Sequence, residues 1–193
     1  METRVLARTG VRVSVLGLGA MMFGRGGNED EAECASVIHR ALDAGINHID
    51  TADGYGAGQS ERIVGRAIAS RRDDVVLATK CFFPKGPDVN ARGGSRRWIM
   101  RAAEASLTRL GTDRIDLLYL HRLDPDADPE ESLAAMDDLV RQGKVLYVGT
   151  SGATGSQLVE CQWAARSRRI NRPVAEQLQY SMFTRAVEQD VLP

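Results

Sequence analysis

Four polar residues, Asp50, Tyr55, Lys80 and His121, have the types and the placement that chemistry requires. Asp50 ends the apolar segment INHID, Lys80 follows VVLAT, and His121 follows IDLLYL. Tyr55 lies in the glycine-rich segment just after Asp50. Charged groups at the ends of apolar segments are costly to bury unless they are paired, so we expect these residues to interact with one another.

The chemistry that such a set supports is proton transfer to an oxygen atom. A lysine ammonium beside a phenol favours the phenolate, which makes the Tyr55 hydroxyl a usable acid. Asp50 would keep Lys80 charged and oriented, and His121 could donate to, or position, a carbonyl oxygen that shares the site with the tyrosine. The four residues therefore predict a proton donor that needs a separate source of hydride.

Six short apolar segments alternate with segments of helical periodicity, which indicates repeated βα units around a parallel sheet. The predicted strands cover residues 13–18, 46–50, 75–79, 115–121, 145–149 and 174–180. In a barrel built from such units, functional groups collect at the C-terminal ends of the strands and in the loops that follow. This arrangement would bring the four residues together.

The helices between the strands carry recognisable boundary residues. Asn28 is expected to precede the first helix and Gly45 to follow it in a left-handed conformation. Ser95 and Gly111 bound a later helix in the same way, and Asp128 is expected to cap the next one, with a proline in its first turn.

The N-terminal residues predict a small β-hairpin with a turn at Thr9-Gly10, which could close the bottom of a barrel. A complete barrel of eight βα units needs about 250 residues, and this chain has 193. We therefore expect an α/β protein: a single domain over residues 1–193, with an incomplete TIM-type (β/α) barrel of about six βα units that lacks the last two.

The composition favours a small molecule as the partner. The formal net charge of −1 gives no reason to expect nucleic acid or an anionic membrane surface. The three cysteines, Cys34, Cys81 and Cys161, have a spacing that fits neither disulfides nor paired metal ligands. No apolar segment approaches membrane-spanning length, and the N-terminus lacks an apolar signal core. We expect a cytoplasmic protein without a metal site.

Longer motifs in the chain resemble those of the aldo-keto reductase family. These motifs are RTGVRVSVLGLGAMMFG, GINHIDTADGYGAGQSERIVGRAI, ATK, SLTRLGTDRIDLLYLHRLDP, DDLVRQGKVLYVGTS and EQLQYSMFTR. They occur in the family's order and at its spacings from residue 4 to about residue 193.

The resemblance implies an enzyme that transfers a hydride from NADPH, with NADH as the less common donor, to an aldehyde or ketone substrate. The family's four catalytic residues match Asp50, Tyr55, Lys80 and His121, with the tyrosine as the proton donor.

The resemblance also implies a set of residues that contact the cofactor. These residues are Gly19, Met21, Asp50, Ser151 and Gln177. Ser151 and Gln177 match positions that hold the nicotinamide carboxamide. The chain departs from the family at Gly152, where an asparagine is common, so one carboxamide contact is missing or is made by the backbone.

Alternative functions stay open at this point. One is a non-catalytic nicotinamide-binding partner subunit of the same fold, because potassium channel β subunits also resemble this family. Another is a metal-dependent hydrolase that uses His48, Lys80 and His121, although the further ligands it needs are missing from the sequence. The resemblance places the stacking surface for the nicotinamide and the basic residues for the phosphates after strands seven and eight. An inactive nicotinamide-binding fragment, with poor cofactor binding and slow turnover, is therefore a further alternative.

Overall fold

The computed structural model describes residues 1–193 and contains two sheets. Strands β1 (Thr3–Val5) and β2 (Arg12–Ser14) form an antiparallel hairpin, as predicted. The other sheet has six parallel strands, and each strand pairs with the next one in the sequence. They are β3 (Leu18–Gly19), β4 (His48–Asp50), β5 (Val76–Cys81), β6 (Ile115–Leu120), β7 (Val145–Ser151) and β8 (Ala175–Gln177).

Helices connect the parallel strands in regular alternation. They are α1 (Glu31–Asp43), α2 (Gln59–Ile68), α3 (Arg96–Leu110), α4 (Pro129–Arg141) and α5 (Gly155–Arg168), with a short α6 (Val187–Asp190) after β8. Two short 3₁₀ segments, Tyr55–Gly58 and Ala69–Asp74, flank α2. None of the helices has both the length and the apolar composition that crossing a membrane requires. The alternation and the pairing order confirm an incomplete TIM-type barrel with an N-terminal hairpin.

Capping side chains explain where several helices begin. The Ser95 hydroxyl accepts a hydrogen bond from the backbone of Trp98, as its position before α3 predicted. Asn28 precedes α1, as predicted, but Asp30 and not Asn28 caps the helix. The carboxylate of Asp30 accepts from the backbone of Ala32 and Glu33, and the Asn28 side chain instead accepts from the backbone N–H of Asp30.

Several predicted strands are shorter in the structure, and the first and the last differ most; the second begins at His48 instead of residue 46, and the fourth ends at Leu120. Residues 13–18 do not form one strand, because Ser14 ends the hairpin and only Leu18–Gly19 pairs in the large sheet. The backbone N–H of Ser14 donates to the Asn47 side chain, and its hydroxyl donates to the carbonyl of Leu16, so the chain turns there. The last predicted strand pairs only over Ala175–Gln177, because β8 is an edge strand with β7 as its single neighbour.

Apolar side chains pack on both faces of the parallel sheet. The main core of 32 buried residues lies between the sheet and the helices. A smaller cluster, Ala78, Leu117 and Tyr119, lies on the inner face, where Leu6 from the hairpin turn packs against it. Alternate residues of a strand share a face, so Ala78 and Lys80 both face inward. The apolar inner cluster therefore gives way to polar groups towards the C-terminal end of β5.

Candidate active site

Lys80 lies at the centre of the polar group, and its side chain is completely buried. Its Nζ donates to Asp50 Oδ2 at 2.5 Å, to the carbonyl oxygen of Thr51 at 2.9 Å and to Tyr55 Oη at 3.3 Å. These three acceptors satisfy the three N–H groups of the ammonium. The buried charge is therefore paired and held in one orientation.

Backbone hydrogen bonds hold the segment between Asp50 and Tyr55. The N–H of Asp53 donates to the carbonyl of Lys80 at 3.0 Å, and the N–H of Tyr55 donates to the carbonyl of Ala52 at 3.2 Å. Two residues after the tyrosine, Ala57 has a φ of 57°. This left-handed conformation is unfavourable for a residue with a Cβ, and such strain is typical of functional segments. A tight turn thus positions the phenol.

His121 follows β6 and is 9% exposed. Its ring lies edge-on to Tyr55, with 5.8 Å between the ring centroids, and edge-on to Phe83, with 4.8 Å. Burial lowers the pKa of His121 to about 4, and the positive charges of Lys80 and Arg122 act in the same direction. Its Nδ1 atom is buried without a hydrogen-bond partner. The imidazole is therefore neutral at neutral pH, with one ring N–H available as a donor.

Tyr55 and His121 open onto a cleft of about 730 Å³. The other lining residues come from the loop after β3 and from the ends of β6, β7 and β8; they are Met21, Arg122, Ser151, Gly152, Gln177, Leu178, Gln179 and, from α6, Val187. The Ser151 hydroxyl donates to the carbonyl of Gln177 at 3.0 Å. Gly19 is paired with Asp50 in the sheet, and a Cβ on Gly19 would meet no atom within 4 Å.

The structure thus brings the four predicted catalytic residues together, and it places Met21, Ser151 and Gln177 in the wall of the same cleft. Among the groups that could hold a nicotinamide nucleotide, the Oδ1 atom of Asp50 is buried without a partner. No group of three or more histidine, cysteine, aspartate or glutamate side chains is arranged to hold a metal ion.

The sequence did not predict a role for two neighbours of the site, Asp53 and Arg122. Asp53 is 1% exposed, both of its carboxylate oxygens lack a hydrogen bond, and Lys85 Nζ is 3.7 Å from Oδ1. Burial raises the pKa of Asp53 to about 6, although Lys85 opposes the shift. Arg122 directly follows His121 and lines the cleft. The available signals were a second aspartate in DTADGY and the pair HR.

The fold and the site define a βα-barrel protein with a lysine-supported tyrosine at the mouth of the barrel. The chain matches the sequence profile of the Aldo/keto reductase family over residues 15–193, and it belongs to that family.

Comparison with curated proteins gives relatives with different names. The "Uncharacterized oxidoreductase YrpG" of Bacillus subtilis (strain 168) is 42% identical over 205 residues, which cover 100% of this chain and 62% of the relative. The "Aldo-keto reductase YhdN" of the same organism is 39% identical over 197 residues, which cover 100% and 58%. The "Probable voltage-gated potassium channel subunit beta" of Arabidopsis thaliana is 38% identical over 197 residues, which cover 100% and 60%. The chain therefore spans about six tenths of the length of these relatives.

Proposed function

We propose that this chain carries the catalytic site of an oxidoreductase that reduces an aldehyde or ketone to an alcohol. The hydride comes from a nicotinamide cofactor, NADPH or NADH, and the proton comes from Tyr55. The observation that carries the proposal is the 3.3 Å contact between the buried Lys80 ammonium and the Tyr55 hydroxyl at the edge of an open cleft. Membership of the Aldo/keto reductase family supports oxidoreduction as the class of reaction.

The protein's own groups have distinct roles in the proposed proton transfer. Lys80 donates to the phenolic oxygen and stabilises the negative charge that develops there as the proton leaves. Asp50 keeps the ammonium in place. His121 is neutral at neutral pH, so it positions the substrate's carbonyl oxygen by a hydrogen bond and leaves protonation to Tyr55.

The groups around the cleft fit a nicotinamide nucleotide, which supplies the hydride when it is bound. The unpartnered Oδ1 of Asp50 can accept a hydrogen bond from a ribose hydroxyl. Ser151 and Gln177, at the ends of β7 and β8, offer polar partners to the carboxamide. The open space beside Gly19 and the 60% exposed side chain of Met21 leave an apolar surface for the ring.

Kinetics of a Tyr55→Phe variant test the proposal. The purified chain is titrated with NADPH by nucleotide fluorescence and then assayed with a panel of aromatic and aliphatic aldehydes. We expect Tyr55→Phe to lower kcat/KM about 100-fold to 10,000-fold, the usual contribution of a positioned general acid. NADPH affinity should change little, because the aromatic ring is kept.

Tyr147→Phe is the matched control. Tyr147 packs against the inner apolar cluster near the hairpin, so loss of its hydroxyl should leave turnover unchanged. Turnover by Tyr55→Phe at the rate of the unaltered chain would contradict the proposal.

A second candidate function is a nicotinamide-binding partner subunit that does not depend on turnover. The observation that favours it is the 38% identity to the Arabidopsis thaliana relative over the full length of this chain. Slow turnover together with cofactor retention through gel filtration would favour this candidate. Rapid, Tyr55-dependent turnover with exchange of the cofactor would favour the reductase.

A further inference from the structure

Arg122 lies in the cleft wall beside the residues proposed to hold the nicotinamide. Its Nη1 atom donates to the carbonyl oxygen of His121 at 2.6 Å and to the Ser151 hydroxyl at 3.4 Å. None of the protein's ion pairs includes Arg122, whereas Arg72, close to the N-terminal end of β5, is paired with Asp116. The Nε and Nη2 groups of Arg122 have no hydrogen-bond partner in the protein, so N–H donors stay available at the cleft.

Gly152 allows the guanidinium to take this position. A Cβ on residue 152 would lie 2.9 Å from Arg122 Nη1 and 3.2 Å from Arg122 Cζ, so any side chain there would displace the guanidinium. The φ of Gly152 is +71°, a conformation that glycine adopts at little cost. The arginine therefore fills the space that a side chain directly after Ser151 would occupy.

The hydrogen bonds in this part of the cleft wall leave the carbonyl oxygen of a bound primary carboxamide without a donor from Ser151. Such a group presents two N–H donors and one carbonyl acceptor. The Ser151 hydroxyl proton is already donated to the carbonyl of Gln177, so Ser151 can accept from the amide but cannot donate to it. A further donor is needed for the amide's carbonyl oxygen, and Arg122 offers free N–H groups on the same wall.

We propose that Arg122 is a further cofactor-binding residue, whose guanidinium donates to the carbonyl oxygen of the nicotinamide carboxamide in place of the side chain that Gly152 lacks. This inference rests on the proposed function. The guanidinium is always charged, and its charge repels the cationic oxidised ring but not the neutral reduced ring. Arg122 therefore makes the chain bind the reduced cofactor more tightly than the oxidised one.

Binding measurements with three ligands test this role. The 193-residue chain is titrated calorimetrically with NADPH, with NADP⁺ and with 2′-phospho-ADP-ribose, which is NADP without the nicotinamide. Arg122→Ala should weaken NADPH binding about 10-fold, the effect of one hydrogen bond to a charged group, and should leave 2′-phospho-ADP-ribose binding unchanged.

Two further variants separate the hydrogen bond from the charge. Arg122→Gln keeps a donor without the charge, so it should lose less NADPH affinity than Arg122→Ala while narrowing the ratio of the NADP⁺ and NADPH dissociation constants. Arg97→Ala is the matched control, because Arg97 is exposed on α3, outside the cleft lining, and its loss removes the same charge. It should change none of the three affinities.

Two results would overturn the inference. Equal losses for NADPH and 2′-phospho-ADP-ribose would mean that Arg122 contacts phosphates or supports the fold, and unchanged NADPH binding by Arg122→Ala would mean that it is no contact. Either result leaves the proposed reductase standing if turnover still depends on Tyr55. Absence of NADPH binding by the unaltered chain would overturn both.

Discussion

Two buried ion pairs lie on opposite faces of β5, and their surroundings differ. On the inner face, Lys80 pairs with Asp50. On the outer face, Glu61 of α2 pairs with Arg109 of α3 at 2.5 Å. Lys80 and Glu61 are both completely buried, so burial and charge pairing alone do not distinguish the two.

The two pairs differ in how many of the polar atoms in and beside them have hydrogen-bond partners in the protein. Glu61 accepts from the Thr79 hydroxyl at 2.6 Å in addition to Arg109, and Arg109 also donates to the Ser106 hydroxyl at 3.0 Å. Beside Lys80, by contrast, Asp50 Oδ1 and His121 Nδ1 are buried without partners. Because buried polar atoms are nearly always paired in native proteins, unpaired ones beside a cleft indicate a place for a ligand. The outer pair has the features of a structural support.

The largest expected effect is that of Lys80→Met on turnover. It should lower kcat/KM about 1,000-fold, because the developing phenolate loses its stabilising cation. It should also destabilise the fold by leaving Asp50 unpaired. The double variant Asp50→Asn/Lys80→Met should recover stability in urea denaturation without recovering turnover. Near-normal turnover by either variant would show that the inner pair is not needed for catalysis.

Glu61→Gln should have the reverse profile. Breaking a buried pair leaves Arg109 partly uncompensated, so the free energy of unfolding should fall by about 3 kcal/mol. The NADPH dissociation constant and kcat should stay the same. Glu31→Gln, which removes an exposed partner of Arg66, is the control and should leave stability close to that of the unaltered chain. A loss of turnover that exceeds the unfolded fraction of Glu61→Gln would show that the outer pair also supports catalysis.

Asp53 provides a pH-dependent test of a buried carboxylate without hydrogen bonds, whose charged neighbours are Lys85 and the outer pair of Glu61 and Arg109. Burial raises its pKa from 3.8 to about 6, so folding favours the protonated carboxyl. The contribution of Asp53 to the free energy of unfolding is therefore most favourable at low pH, and it is lost as the pH rises from about 4 through 6. Asp53→Asn cannot ionise, so it should be more stable than the unaltered chain by about 3 kcal/mol near neutral pH. The two proteins should converge below about pH 4, as measured by urea denaturation across the range. A stability difference that grows towards acid would contradict this assignment.

Ser106→Ala should have the smallest effect of the four. Arg109 loses one hydrogen bond, which costs about 1 kcal/mol of unfolding free energy. Kinetic constants should not change, because Ser106 lies on the helix side of the sheet. Ser36→Ala, at an exposed position of α1, is the control for the loss of a hydroxyl. Thermal unfolding resolves the two variants, and an equal midpoint for both would show that the Ser106 bond contributes nothing.

The elements of the fold were predictable where their signals lie within a few consecutive residues. Ser95 and Asp128 cap helices as predicted, and Gly111 has the expected left-handed conformation with a φ of 63°. The strand limits were less predictable because pairing depends on distant partners. The predicted strand over residues 13–18 is divided by the bond from Ser14 to Asn47, which the local pattern does not reveal.

The residues of the candidate site were also predictable from the sequence only in part. Asp50, Tyr55, Lys80 and His121 could be selected from the sequence because each has a chemically active side chain at a strand end or in the loop that follows one. Asp53 and Arg122 could not be selected from the sequence, because their significance depends on their surroundings. The Asp53 carboxylate is buried without a hydrogen-bond partner, and the Arg122 guanidinium occupies the space left by the missing side chain of Gly152.

The sequence by itself determined the order of the βα units, the family and the kinds of group that stand at the strand ends, because periodicity and side-chain type are local properties. Only the tertiary structure decided that the Lys80 ammonium lies 3.3 Å from the Tyr55 hydroxyl, that His121 is neutral and that Asp50 keeps an unpaired oxygen. These properties depend on distances and burial, and the groups that set them meet only when remote segments of the chain pack together.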